Sequence, residues 1–229
     1  MGTHLVTGAR SGIGAALAQA LMTRDEQLVL PARTAQRAEE LAARYPGART
    51  FVADLADPAS LTVPELERLD SLHHVAGVVD LAPVAEVTAA SLREHLDVNL
   101  VAPVVLTRLL LPALRAAHGL VVFVNSSAGL VANPDWAAYA ASKFGLRAVA
   151  DALRGEEAGN GVRVTTVFPS RTATPMQEKV HEQEGRTYDA ARWISPETVA
   201  DTILHVLDLS DDATIPEVTV RPVVPFTGR

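Results

Sequence analysis

The sequence predicts an α/β fold: a doubly wound, mainly parallel sheet with helices on both faces, in three layers. Two observations carry this expectation. Short apolar segments alternate with helical ones along the chain, and the first such pair is joined by the glycine-rich turn Thr7-Gly8-Ala9-Arg10-Ser11-Gly12-Ile13-Gly14. Apolar runs such as Leu120-Val-Val-Phe-Val124 read as strands buried on both faces, as a helix-covered parallel sheet requires. At 229 residues the chain suits one unit, 1–229, with its active site built in.

His4-Leu5-Val6 is the first strand, and Gly12 to about Arg24 is a helix with Ile13, Leu17 and Leu21 on one side. Gln27 to Leu30 is a strand and Ala35 to Tyr45 a helix, stopped by Pro46-Gly47. Arg49 to Ala53 is strand-like, and Val75 to Val79 is another apolar segment. Residues 60–73 between them leave room for at most a small helix, started near Pro64. Leu92 to Ala117 is helical, with interruptions expected near Pro103 and Pro112. Gly119 to Asn125 is a strand, Trp136 to Glu157 a helix, Val162 to Phe168 a strand and Pro196 to Leu209 a helix. Val218-Thr219-Val220 is expected at a sheet edge.

Composition narrows the function classes. A net charge of −7, from 20 basic and 27 acidic residues, argues against a nucleic-acid surface. With no cysteine, disulfides, thiolate catalysis and cysteine-held metals are excluded. No apolar run approaches twenty residues, and residues 1–8 read as strand and turn, so a cytoplasmic protein without a membrane partner is expected. His73 and His74 are adjacent instead of at ligand spacing, and no metal site is expected.

Gly8, Gly12 and Gly14 let backbone N–H groups approach a pyrophosphate at a helix start. Dinucleotide folds that prefer NAD place a carboxylate at the end of the second strand, where this chain has Pro31-Ala32-Arg33-Thr34. Arg33, with Arg10 in the first turn, suits a 2′-phosphate and hence NADP(H). Asp54 either accepts a hydrogen bond from the adenine amino group or serves as a turn residue. Further on, Tyr139 and Lys143 stand four apart, on one helix face, thirteen residues after Ser126. The lysine charge can favour the phenolate, and the serine hydroxyl completes a proton-transfer site.

Together, Thr7-Gly8-x-x-x-Gly12-x-Gly14, Asp54, Asn99, Ser126, Tyr139-x-x-x-Lys143 and Pro169 through Met176 resemble the short-chain dehydrogenase/reductase family in its single-domain, Rossmann-type form, from about Thr3 to Leu209. The resemblance implies four catalytic residues. Tyr139 is the general acid/base, Lys143 lowers its pKa and holds the nicotinamide ribose, Ser126 polarises the substrate oxygen, and Asn99 distorts its helix to hold a relay water. It implies a cofactor site drawing on Thr7, Gly8, Arg10, Ser11, Gly12, Ile13, Gly14, Arg33, Asp54, Leu55, Ala76, Gly77, Pro169, Thr172 and Thr174, together with Tyr139 and Lys143. Two departures stand out: Ser170 replaces the usual glycine after Pro169, and His74-Val75-Ala76-Gly77 replaces Asn-Asn-Ala-Gly.

Residues 175–194 are expected to form a substrate lid. The implied function is NADPH-dependent reduction of a small or moderately sized aldehyde or ketone, reversible to alcohol oxidation, by a homodimer or homotetramer. The alternatives are an NAD-dependent alcohol dehydrogenase and a non-catalytic NADP(H)-binding regulatory protein.

Overall fold

A computed structural model describes residues 1–224; residues 225–229 of the expected 1–229 unit lie outside the described residues. Seven strands form one sheet: β1 (Thr3–Val6), β2 (Gln27–Ala32), β3 (Arg49–Val52), β4 (Ser71–His74), β5 (Leu120–Val124), β6 (Arg163–Pro169) and β7 (Glu217–Val220). Their order is β3-β2-β1-β4-β5-β6-β7, and every pairing is parallel. Among the described residues seven α-helices surround the sheet: α1 (Gly12–Thr23), α2 (Ala35–Arg44), α3 (Ala89–Leu96), α4 (Ala102–Ala117), α5 (Ala137–Glu157), α6 (Pro175–Gln183) and α7 (Pro196–Leu207). The doubly wound three-layer expectation holds, and β7 is the expected edge strand.

Alternation along each strand sorts the core into two layers. Val6, Leu30, Val122 and Val124 face α1, α2 and α7, where Leu17, Leu21, Leu41 and Ile203 meet them. Leu5, Val29, Val121 and Phe123 face the opposite layer, filled by Leu110 and Leu114 of α4 and Leu146 and Leu153 of α5. The strand order reverses between β1 and β4. Ligands of open α/β sheets bind at such a switch point, beyond the carboxyl ends of the strands.

Three local expectations are corrected. The fourth strand is Ser71–His74, ahead of the apolar Val75–Val79, which becomes a loop at the cleft. Its polar letters hide a fully buried strand, in which the Ser71 hydroxyl meets His73 Nε2. No helix starts near Pro64. A single turn, Pro58–Ser60, precedes extended chain, and Leu61, Val63, Leu66 and Leu69 fill the space where a crossover helix would lie. Helix α4 runs straight through Pro112, while the break before Pro103 is a π-helical turn, Asp97–Val101. With that turn, Ala89–Ala117 is one helical stretch long and apolar enough, by length and composition, to cross a membrane. Its Leu106, Leu110 and Leu114 are buried in the protein.

Candidate active site

The glycine-rich turn leaves β1 at the switch point. Gly8 adopts φ 75°, and a Cβ there would meet Ala76 N at 3.0 Å. Gly12 adopts φ 53°, and its Cβ would meet Thr174 Cγ2 at 2.9 Å. Side chains at these positions would fill the cradle that the bare backbone leaves open. Arg10, Ser11, Ile13 and Gly14 line the same cleft. Thr7 does not line it. Its buried hydroxyl donates to His73 O (3.2 Å) and accepts from Val75 N (2.9 Å) and Ala76 N (3.0 Å), fastening the glycine turn to the loop after β4. Ala76 and Gly77, on that loop, do line the cleft.

Two residues that sequence reasoning passed over hold the turn from behind. The fully buried Tyr45 donates its hydroxyl to Ala9 O (2.9 Å), and Arg44 donates to Arg10 O (2.9 Å). The residues expected at the adenosine end are more dispersed. Arg33 is exposed just before Thr34, the N-cap of α2. The Asp54 carboxylate closes a turn by accepting from Ala56 N (3.0 Å), and Leu55 packs beside Ala53 and Ala102. None of these three lines the cleft as it stands.

Across the cleft, α5 carries Tyr139 and Lys143 one turn apart, both buried. Lys143 Nζ donates to Val124 O (3.0 Å) and lies 5.7 Å from the centre of the Tyr139 ring. Burial draws the lysine down to about 8. Burial also pushes the phenol up to about 12, with the Ser126 hydroxyl pulling the other way. Burial of the phenol thus opposes the lowering of the Tyr139 pKa expected from Lys143. Ser126 caps a short turn, accepting from Ala128 N (3.1 Å), and it lines the cleft beside Ser127.

Asn125, another residue passed over, ties this cluster together. Its amide donates to Lys143 O (2.9 Å) and accepts from Ser126 N (2.8 Å). Asn99 sits in the π-helical turn, where the Ala102 N–H reaches back to Asp97 O. Its side chain accepts from Val78 N (2.8 Å) and donates to Val78 O (3.0 Å) and Ser142 Oγ (3.0 Å). Asn99 thus braces the loop after β4 against α5, and its amide oxygen lies 3.0 Å from where a Gly77 Cβ would be. It does not itself line the cleft.

Pro169, Ser170, Thr172 and Thr174 form the next wall. Ser170 stays out of the left-handed region and pairs with Val220 O (2.9 Å), so serine fits where glycine is usual. Thr174 caps α6, accepting from Gln177 N (3.2 Å). Helix α6 then crosses the cleft mouth and is fastened on both sides. Lys179 reaches Asp80 Oδ1 (2.6 Å) and Val79 O (3.1 Å), and Gln183 donates to the same Asp80 oxygen (2.8 Å). Lys179 first, with Gln183, holds the Asp80 carboxyl below its ordinary value. On the other flank Arg171 forms a two-pronged pair with Glu184 (2.9 and 2.6 Å). Beneath Asp80, the buried His95 of α3 accepts from Asp80 N (2.9 Å) and stands edge-on to the Tyr139 ring at 6.4 Å. Its other ring nitrogen meets Ser91 O (2.7 Å), so the proton sits on Nδ1.

The His74 departure is absorbed by the core. Its Nε2 bonds Thr107 Oγ1 of α4 (2.8 Å), and its ring stacks on Phe123 at 5.0 Å. Val75, beside it, becomes part of the cleft wall.

A cleft of about 1510 Å³ joins these walls from the glycine turn to α6. A parallel sheet with this order, and a glycine cradle facing a buried tyrosine–lysine pair across the switch point, define a dinucleotide-fold oxidoreductase. Residues 3–185 match the short chain dehydrogenase family, and the chain belongs to it. D-threitol dehydrogenase of Mycolicibacterium smegmatis is 36% identical over 203 residues, covering 84% of this chain and 77% of that one. Among solved structures, an NADP-bound putative NAD(P)-dependent gluconate 5-dehydrogenase from Beutenbergia cavernae has a TM-score of 0.79 at 30% identity, covering 95% and 94% of the two chains. A putative short chain dehydrogenase from Escherichia coli CFT073, complexed with NADPH, has a TM-score of 0.81 at 27% identity, covering 95% of each.

Proposed function

We propose that this chain is an NADPH-dependent reductase of aldehydes or ketones, with Tyr139 as the proton donor. The observation that carries the reading is geometric: the glycine cradle opens into the same cleft as Ser126, Tyr139 and Lys143. Burial favours the protonated phenol, the form that can donate to a carbonyl oxygen.

The glycine cradle fits a dinucleotide, since it is open only because Gly8 and Gly12 carry no side chain. When bound, a nicotinamide dinucleotide supplies hydride to the carbonyl carbon. The protein's residues do the rest. Ser126 orients the carbonyl oxygen, Tyr139 protonates it as it gains charge, and Lys143 places a cation beside the ring. Ala76, Gly77, Pro169, Thr172 and Thr174 bound the space between cradle and phenol. Arg10 at the cleft and the exposed Arg33, with no carboxylate at the end of β2, favour a 2′-phosphate. The NADP- and NADPH-bound relatives point the same way. A cytoplasmic homo-oligomer completes the reading. Val101, Val104 and Phe144, at 38, 37 and 43% exposure, offer apolar surface on the α4 and α5 side.

The test compares NADPH and NADH by fluorescence titration, then follows turnover on a carbonyl panel in the parent chain and Tyr139→Phe. We expect tighter binding of NADPH than of NADH, and a fall in turnover of about 10²-fold or more in the variant. Equal turnover in the phenylalanine variant refutes the role given to the phenol.

A further inference from the structure

The side of the cleft that holds the reacting oxygen also identifies what can enter. Tyr139 packs in a cluster with the buried Val79, Ala128 and Val180, and Leu81 and Trp136 lie against it. The Trp136 ring stands edge-on to the phenol ring at 5.7 Å. Several polar side chains that α6 and its neighbours bring to or beside this wall are committed to one another. Asp80 is shared by Lys179 and Gln183, Gln183 also accepts from Leu81 N (3.2 Å), and Arg171 pairs with Glu184. The buried Gln177 is engaged with His181 (3.0 Å). Glu86, Asn133 and Asp135 line the cleft only as exposed residues.

A polyhydroxylated substrate needs a partner for each hydroxyl it buries, and the paired side chains at this wall would first have to abandon one another. An apolar substituent needs none and gains from each buried methylene. Resting on the reductase reading above, we infer that the substrate is an apolar carbonyl compound. It is an aryl or branched-alkyl aldehyde or ketone whose one polar group is the reacting oxygen. Polyols and sugar acids, the compounds named for two relatives, fit this wall poorly. Val79 and Val180 are the specificity-determining residues: they close on the phenol from the loop after β4 and from α6.

The experiment has a turnover arm and a binding arm. With NADPH, acetophenone and 3-methylbutanal are compared with erythrulose and 5-ketogluconate. The expected kcat/KM ratio favours the apolar pair by about 10²-fold, the size of about two lost hydrogen-bonding partners. Val180→Asn, and independently Val79→Thr, are expected to narrow that ratio about tenfold. Binding is read without chemistry in Tyr139→Phe, by tryptophan fluorescence with NADP bound, comparing 1-phenylethanol with threitol. Trp136 and Trp193 both line the cleft and report on its occupancy. Tighter binding of 1-phenylethanol supports the inference even if no carbonyl is turned over, an outcome that sinks only the reductase reading. Equal or tighter binding of threitol, or equal kcat/KM for erythrulose, overturns the inference.

Discussion

Acid stability provides the sharpest test of how the central strand is built. His73 and His74, on β4, are both buried, and burial lowers each from 6.5 to about 3. His4 on β1 is shifted the same way, again chiefly by burial. The neighbours explain why protonation is resisted. His73 shares Ser71 with His4 through contacts of 2.6 Å, and His74 lies between Phe123 and Thr107 under the charge of Lys143. A histidine with a depressed folded-state pKa is protonated in the unfolded chain first. Its stability contribution is therefore complete above pH 6.5 and is lost as pH falls toward 3.

Between pH 6 and pH 5 one such ring removes about 1.2 kcal/mol, so the pair removes about 2.4 kcal/mol. The carboxylates held low by partners, Asp70, Asp80 and Glu157, have ordinary values of 3.8, 3.8 and 4.5, so their losses begin mainly below this interval. Urea unfolding followed by circular dichroism at the two pH values measures the difference directly. His74→Gln keeps a nitrogen for Thr107 and removes the titration, so its pH-dependent loss should shrink by about 1.2 kcal/mol. An unchanged loss in the variant, or an imidazole signal for His74 titrating near 6.5 in the native protein, would refute the reasoning.

Two further predictions concern the glycine turn. Gly14→Ala places a Cβ against Gly8 O and 2.6 Å from Gly8 C, atoms of backbone that cannot swing aside. Loss of NADPH binding in titration is expected, with a lowered unfolding midpoint; native affinity in the alanine variant contradicts the packing. Tyr45→Phe removes the hydroxyl bonded to Ala9 O, costing about 1–2 kcal/mol in urea unfolding and raising the NADPH Kd several-fold with the carbonyl KM unchanged. An unchanged Kd would make Tyr45 a core residue only.

Much of the architecture was legible because its signals are local. The glycine turn, the long apolar run of β5 and the one-turn spacing of Tyr139 and Lys143 each follow from backbone geometry over a few residues. The helix irregularity around Asn99 emerged as a π-helical turn. Strand β4 was not legible, because Ser71, His73 and His74 look like surface residues until the fold brings His4 and Thr107 to them. Asn125, His95 and Tyr45 had no signal of their own. Each acquires its place by reaching a backbone group 15 to 36 residues away, a relation that no short pattern records. An asparagine closing a buried strand directly before two serines was the nearest available hint. The burial of the phenol had no signal in the sequence, because charge proximity can be guessed from spacing, whereas the packing of Val79 and Val180 against Tyr139 exists only in the folded chain.

That desolvation links proton state to substrate choice. Burial raises the phenol to about 12, and the apolar side chains packed with Tyr139 also line the cleft a substrate must enter. Replacing them with polar residues should act on both properties at once: the phenolate becomes less costly to form, and hydroxylated substrates become less costly to bury. A variant such as Val180→Asn should therefore gain alcohol-oxidation activity at a lower pH while it loses its preference for apolar carbonyls. If proton state and substrate preference were set by separate groups, one would move without the other. Their movement together follows from both being governed by the exclusion of water around Tyr139, held in place by the grip of Lys179 and Gln183 on Asp80.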